Sequence, residues 1–298
     1  MKLDKKNIPV VLVVVMFFWA LMHPLSKMIV GDVPPVLLTF LRYGLGTVFM
    51  LVYFVFAKRS IKIENKDLIP LAIIGILGNG IANLFYFTGL NLSTATTASI
   101  LINFSPLAIA LLSPMLIGEK LKKQEMFGVL LAFLGIIFVI DGGSSIDSLV
   151  SSEYFYGNLL ILFSASLVAV STIYGKKYIH KYGGSVASFY TIFFSMMFML
   201  PLTVYTGVFF QISSLSVFDW SVVVYLGLIA AFIFAILYAS IRHIGAAKST
   251  SFKLLIPVYA TLVAVVFLGE VPSFYTLFGG ILVLGGLFLT HRADREFK

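Results

Sequence analysis

Cysteine is absent from all 298 residues, which excludes a disulfide framework, an iron–sulfur cluster and thiol catalysis. Charge is scarce as well. Only 11% of the chain is Asp, Glu, Lys or Arg, against about 25% in a soluble domain, so the chain cannot cover itself with polar surface in water. The four histidines stand singly, and no His/Glu pair has metal-ligand spacing. No G-x4-G-K-[ST] loop occurs, which argues against an ATP-driven pump, and no Ser/His/Asp set or metal box suggests an enzyme. No cofactor is expected. A net charge of +8 could suit nucleic acid, but the basic residues are distributed in a way that points elsewhere.

What remains is apolar: 60% of the residues are hydrophobic and the mean hydropathy is +1.03. Lipid is the solvent this composition fits. A spanning helix needs about 20 apolar residues, and runs bounded by Gly, Pro, Asn or charge give ten spans. They cover residues 8–30, 35–57, 68–90, 95–117, 125–140, 155–175, 185–207, 219–241, 246–268 and 273–290. The basic start and long apolar run at the N-terminus lack a small-x-small cleavage site, so the first run reads as a retained span.

Counting spans from a cytoplasmic N-terminus places 18 of the 21 Lys and Arg residues on the cytoplasmic side, and the opposite loops hold none. The termini are therefore expected in the cytoplasm of a cell-membrane protein whose immediate environment is the bilayer, with no nucleic-acid partner.

A pattern repeats at one offset. Pro106, Gly118-Glu119, Phe127-Gly128 and Gly135 recur as Pro257, Gly269-Glu270, Phe278-Gly279 and Gly286, each 151 residues later. Residues 1–140 and 155–298 then form two five-helix units joined by the polar stretch 141–154. Five spans is an odd number, so the second unit enters the membrane upside down. The turn after Gly118-Glu119 carries three lysines, whereas Gly269-Glu270-Val271-Pro272-Ser273-Phe274 carries none. The expected fold is an all-α integral membrane protein of ten transmembrane helices in two inverted five-helix repeats. Inverted repeats are the architecture of secondary transporters with a central site.

The same residues carry a resemblance. Trp19-Ala20 and Lys27 in span 1, Arg42 in span 2 and the twice-repeated Pro…Gly-Glu…Gly…Gly pattern resemble the drug/metabolite transporter superfamily, in particular its EamA type. Ala20 departs from the Gly often found there. The resemblance covers essentially the whole chain. It implies a cavity lined by the first four spans of each half, with spans 5 and 10 peripheral. Relatives export amino acids and other metabolites or import nutrients, so substrate and direction do not carry over. The rival is an intramembrane enzyme or a membrane assembly scaffold, although the span interiors are nearly free of acids.

Three basic residues lie away from the loops: Lys27, Arg42 and Lys253. Charge inside a membrane costs about 2.5–3.5 kcal/mol on insertion scales and marks function by default. Arg42, roughly 10 Å into span 2 at about 1.5 Å per residue, either meets substrate or pairs with carbonyls or Asp32. Lys27 is expected to snorkel outward, and Lys253 either faces a cavity or snorkels inward. Trp19, His23 and Lys27 share one face of span 1, where Pro24 frees a carbonyl and bends the helix.

Asn79, Asn83 and Tyr86 share a face of span 3, and Asn103 lies with Ser99 on span 4. The span 3 set serves as helix–helix glue or as a substrate contact, and the span 4 pair lies one turn before Pro106. The candidate substrate-binding residues are thus Trp19, His23, Arg42, Asn79, Asn83, Tyr86, Asn103 and Lys253, with Pro106 and Pro257 as candidate hinges. Glu119 and Glu270 are expected to cap or bond neighbouring helix ends, and the repeated glycines to pack helices. The expected cargo is a small organic metabolite: an amino acid or another carboxylate-bearing solute, with export one possible direction. Oligomeric state is not legible.

Overall fold

The structure, a computed structural model, describes residues 8–118, 123–141, 153–244, 249 and 252–293. The described residues are helical nearly throughout, with no strand. Among the described residues, the ten longer helices are α1 (Ile8–Ile29), α2 (Pro35–Phe56), α3 (Asn65–Leu92), α4 (Ala95–Leu116), α5 (Lys123–Asp141), α6 (Glu153–Tyr182), α7 (Gly184–Tyr205), α8 (Val217–Ile244), α9 (Phe252–Leu268) and α10 (Phe274–Ala293). The first seven are each long and apolar enough to cross a membrane. The next turns 117° from the short segment Val208–Ser214, and the last two are shorter apolar helices. Large apolar side chains such as Phe56, Met115 and Val266 point away from the protein, as lipid-facing surface requires.

Several spans break where the sequence removes a backbone donor or loosens the ladder. The first stops at Ala20 and restarts at Met22, because Pro24 has no N–H to offer the Ala20 carbonyl and its ring crowds that oxygen. In α3 the glycine-rich stretch Ile76–Ile81 winds as a π-helix. The fourth span consists of Ala95–Leu101 and Phe104–Ile117 with a turn between. The ninth starts with the 3-10 turn Phe252–Leu254 before Leu255–Leu268. Pro106 and Pro257 fall in the first turn of those second segments, where a helix has no use for the missing donor. Both segments end on a left-handed glycine, Gly118 (φ 71°) and Gly269 (φ 65°). This conformation is nearly free for glycine and strained for other residues.

The packing has two-fold character. Exchanging the halves turns the α1–α9 contact into α6–α4, α3–α6 into α8–α1, and α2–α8 into α7–α3, and all six contacts are present. The inversion is direct in the α5–α10 pair. A Cβ on Gly135 would lie 2.5 Å from the Gly279 carbonyl oxygen, and one on Gly279 would lie 2.5 Å from that of Gly135. Gly128 and Gly286 press together in the same way. Early residues of one helix meet late residues of the other, so these repeat-equivalent helices run antiparallel. The expected ten-helix inverted architecture is what the chain forms.

Some boundaries shift. The sixth helix runs to Tyr182, two turns beyond the expected 175, because its lysines end the apolar run without ending the helix. The third starts at Asn65 rather than 68. Most of the linker 141–154 and the first repeat's Glu119 lie outside the described residues.

Candidate functional site

A cavity of about 460 Å³ lies between the halves, bordered by side chains of α1–α4 and α6–α9 and none of α5 or α10. The helix breaks surround it: His23 beside the Pro24 bend, Asn79 in the π-helix, Asn103 at the turn in α4, and Lys253 in the 3-10 turn opening α9. Breaks of this kind turn polar groups into a bundle that is otherwise apolar, and π-turns recur at functional sites.

Arg42 is buried. Its guanidinium donates to Asn83 Oδ1 at 3.0 Å and stands 5.5 Å and 5.7 Å from the Tyr43 and Phe87 ring centroids. Its Nε has no partner, and no ion pair to Asp32 forms, so that alternative is corrected. An exposed carboxylate at Asp32 keeps its hydration, whereas Asn83 holds Arg42 inside the bundle. Asn83 in turn donates from Nδ2 to the Asn79 carbonyl at 3.0 Å. The His23 Nδ1 and the Tyr86 hydroxyl, both buried, share a hydrogen bond of 2.5 Å. Lys253 Nζ sits 5.1 Å from the Trp19 ring centroid, and cation–π attraction offsets part of the cost of its burial. Neither Arg42 nor Lys253 forms an ion pair among the described residues. Asn103 donates to the Ser99 carbonyl at 2.6 Å.

All eight residues singled out in the sequence border this one cavity, as does Pro106. Pro257 is buried in α9 away from it. Sequence reasoning assigned nothing on the sixth and seventh helices, yet Ser164, Ser171, Thr172, Ser188 and Thr191 line the wall there. The seven-residue spacing of Ser164 and Ser171 on one helix face was the available signal.

Contacts between the halves are present toward both ends of the cavity. At the end away from the lysine-rich turns, a large apolar cluster includes Ile29, Val33, Leu37, Leu90, Leu101 and Leu226. There Glu270 accepts from the Ala95 and Thr96 backbone N–H groups at 2.6 Å and 2.9 Å, capping α4 as expected of a helix-end carboxylate. Lys27 donates to the Leu90 and Asn91 carbonyls, both at 3.0 Å, at the C-terminal end of α3 on this same side.

At the lysine-rich end, Asp67 Oδ2 accepts from Lys181 at 2.7 Å and from Tyr182 at 2.5 Å, and Lys181 also meets Glu64 at 2.5 Å. Tyr190 donates to the Ile61 carbonyl at 2.9 Å. These contacts put the turns around residues 60 and 183 on one face, as the lysine count requires. The Lys181 ammonium, then Lys66, hold the Glu64 carboxyl below its usual range. That contact is present at neutral pH and is lost only as pH falls through the lowered value.

A mostly apolar cavity with a few convergent polar side chains, set between inverted helical halves, is the arrangement of a membrane transporter. The EamA-like transporter family matches residues 8–141 and 155–292, and the chain belongs to that family. An uncharacterized transporter of Archaeoglobus fulgidus is 26% identical over 281 residues, covering 94% of this chain and 95% of that one. The uncharacterized transporter YetK of Bacillus subtilis is 28% identical over 268 residues, covering 89% and 81%. A solved crystal structure matches 99% of this chain and 100% of its own at a TM-score of 0.64 and 20% identity, a likeness of fold alone.

Proposed function

We propose that this transporter is a secondary carrier of small carboxylate-bearing solutes, working by alternating access in the cell membrane with both termini in the cytoplasm. The observation that carries the reading is the placement of Arg42 and Lys253 in one central cavity with no carboxylate paired to either. Attraction between unit charges is many times stronger at low effective dielectric than in water, so an entering anion gains what neither cation obtains from the protein. The guanidinium fork suits a carboxylate, and the ammonium acts as a point charge. The rocking units are the two halves, whose contacts at the two cavity ends break alternately. The orientation rests on the lysine distribution. The relatives' description as transporters supports carriage over intramembrane catalysis.

Counterflow in proteoliposomes tests the reading. A panel of labelled organic acids should include at least one that exchanges, and Arg42→Gln should reduce its exchange at least tenfold while the melting temperature stays near wild type. Loss of melting temperature without a change in substrate affinity would make Arg42 structural and overturn the reading.

A further inference from the structure

The cavity discriminates against ammonium as well as favouring carboxylate. An α-amino acid brings both groups, and its ammonium needs a carboxylate, an aromatic face or a free carbonyl oxygen. Among the described residues, no acidic side chain borders the cavity. The 13 acidic residues of the chain all fall near the ends of the apolar runs, in the turns between them or in the terminal segments of the sequence. The face of Trp19, the strongest aromatic site for a cation, already holds Lys253. The Asn83 carbonyl oxygen already accepts from Arg42, and the Asn79 and Ser99 backbone carbonyls accept from Asn83 and Asn103. The chain's own cations and amides therefore occupy these acceptors, and what the wall leaves to an ammonium, side-chain amide oxygens and hydroxyls, is neutral and set beside two cations without a carboxylate.

The two cations are held by different partners, Lys253 against Trp19 and Arg42 by Asn83, Tyr43 and Phe87. From Lys253 the path runs through Trp19, one helical turn to His23, across its hydrogen bond to Tyr86, one turn back to Asn83 and on to Arg42. Between them the wall is neutral, with hydroxyls of α6 and α7 opposite. One carboxylate can satisfy one cation and leaves the other uncompensated. A solute with an anionic group at each end of a short chain satisfies both.

We infer that the cavity selects a short di-anionic organic acid without an ammonium group, Arg42 taking one end and Lys253 the other, and that it rejects zwitterionic amino acids. This rests on the anion reading above and narrows it.

The test compares matched probes on the purified full-length protein by isothermal titration: butyrate, succinate, glutarate, adipate, glutamate and alanine. The expected result is binding of at least one dicarboxylate, at least tenfold tighter than butyrate and than glutamate, with no binding of alanine. Glutarate against glutamate is the decisive pair, because the two differ only by the ammonium and need no variant. In Arg42→Gln and in Lys253→Gln, each checked for wild-type melting temperature, the dicarboxylate should fall to within about threefold of butyrate. Glutamate binding as tightly as glutarate, or alanine binding at all, overturns the inference. Butyrate matching the best dicarboxylate with dependence on Arg42 overturns it too, while leaving the carboxylate reading intact. Binding of none of the six overturns both.

Discussion

Glu270 offers a sharp test because one side chain joins the two halves through geometry that can be valued. Its carboxylate accepts two backbone N–H groups, from Ala95 at 2.6 Å and Thr96 at 2.9 Å, across 175 and 174 residues of chain. Ala95 and Thr96 are buried, at 0% and 1% exposure, so water cannot replace a lost acceptor. Truncation to Ala leaves both donors of the first turn unsatisfied, at about 1–3 kcal/mol for each buried orphan, and removes a charge placed favourably at the positive end of α4, worth about 0.3–1 kcal/mol. Glu270 itself is only half-buried, which lowers the gain it gives up. We expect Glu270→Ala to destabilise by about 2–4 kcal/mol in total. Glu270→Gln keeps one acceptor oxygen and the chain length, and should lose about 1–2 kcal/mol.

The assay is thermal unfolding of the three proteins side by side in one detergent. At about 2–4 °C per kcal/mol for chains approaching this size, the alanine variant should melt several degrees below wild type with glutamine between. The contact also ties the halves together at the end of the cavity away from the lysines. A cysteine placed at Ser99, in the segment it anchors, should therefore react faster with a membrane-impermeant maleimide in the Glu270→Ala background. Melting within a degree of wild type for Glu270→Ala, with unchanged labelling, would refute the assignment of Glu270 as the cap that joins the halves.

Single cysteines at Lys122 and Ser273, in a chain that has none of its own, should label from opposite faces of sealed vesicles, Lys122 from the cytoplasmic one. Labelling from a common face would remove the orientation. Pro106→Ala and Pro257→Ala restore a donor in a first turn that does not use it, so melting temperature should move little. If the breaks these prolines follow are hinges, the double variant should lose transport rate while keeping substrate affinity, and wild-type flux would take both prolines out of the mechanism.

How much of this was legible in the sequence follows from the range over which each signal acts. Span count and inversion are written in apolar runs and in the positions of lysine, which lipid and the membrane surface read directly. Hydropathy marks where lipid ends, not where hydrogen bonding ends, which is why α6 continues beyond the expected 175 to Tyr182. The capping role of Glu270 was foreseeable from its place after a helix-ending glycine, but its partner on α4 was not. The links of Asp67 to Lys181 and Tyr182 span more than a hundred residues and leave no local trace. The π-helix at Ile76–Ile81 was hidden for a different reason. Glycines there read as close packing, which they also provide, since a Cβ on Gly80 would lie 3.2 Å from Ser195 Oγ. Composition does not encode which carbonyl a given N–H will choose.

The repeat itself separates scaffold from site. Across the ungapped register that joins the fourth and ninth spans, the matched positions are those that two-fold packing needs. Pro106 and Pro257 open helical segments, and Gly118 and Gly269 close them in the left-handed conformation. Gly128 and Gly135 meet Gly286 and Gly279 at the crossing of α5 and α10. A few residues upstream in that register the match fails at the cavity wall. Lys253 stands where the first half has Ile102, and Asn103 stands where the second half has Leu254. Ile102, Asn103 and Lys253 all border the cavity. A symmetric scaffold can present its interior equally to both faces, whereas the side chains that meet a small cargo need not obey the two-fold. On the proposed reading, residues that break the repeat while facing the centre set specificity, and residues that keep it serve motion and stability. Lys253 then belongs with the cargo, as does Arg42 in the same cavity, and Glu270 with the frame. The Gln variants at Arg42 and Lys253 should accordingly shift affinity more than melting temperature, and the Glu270 variants the reverse.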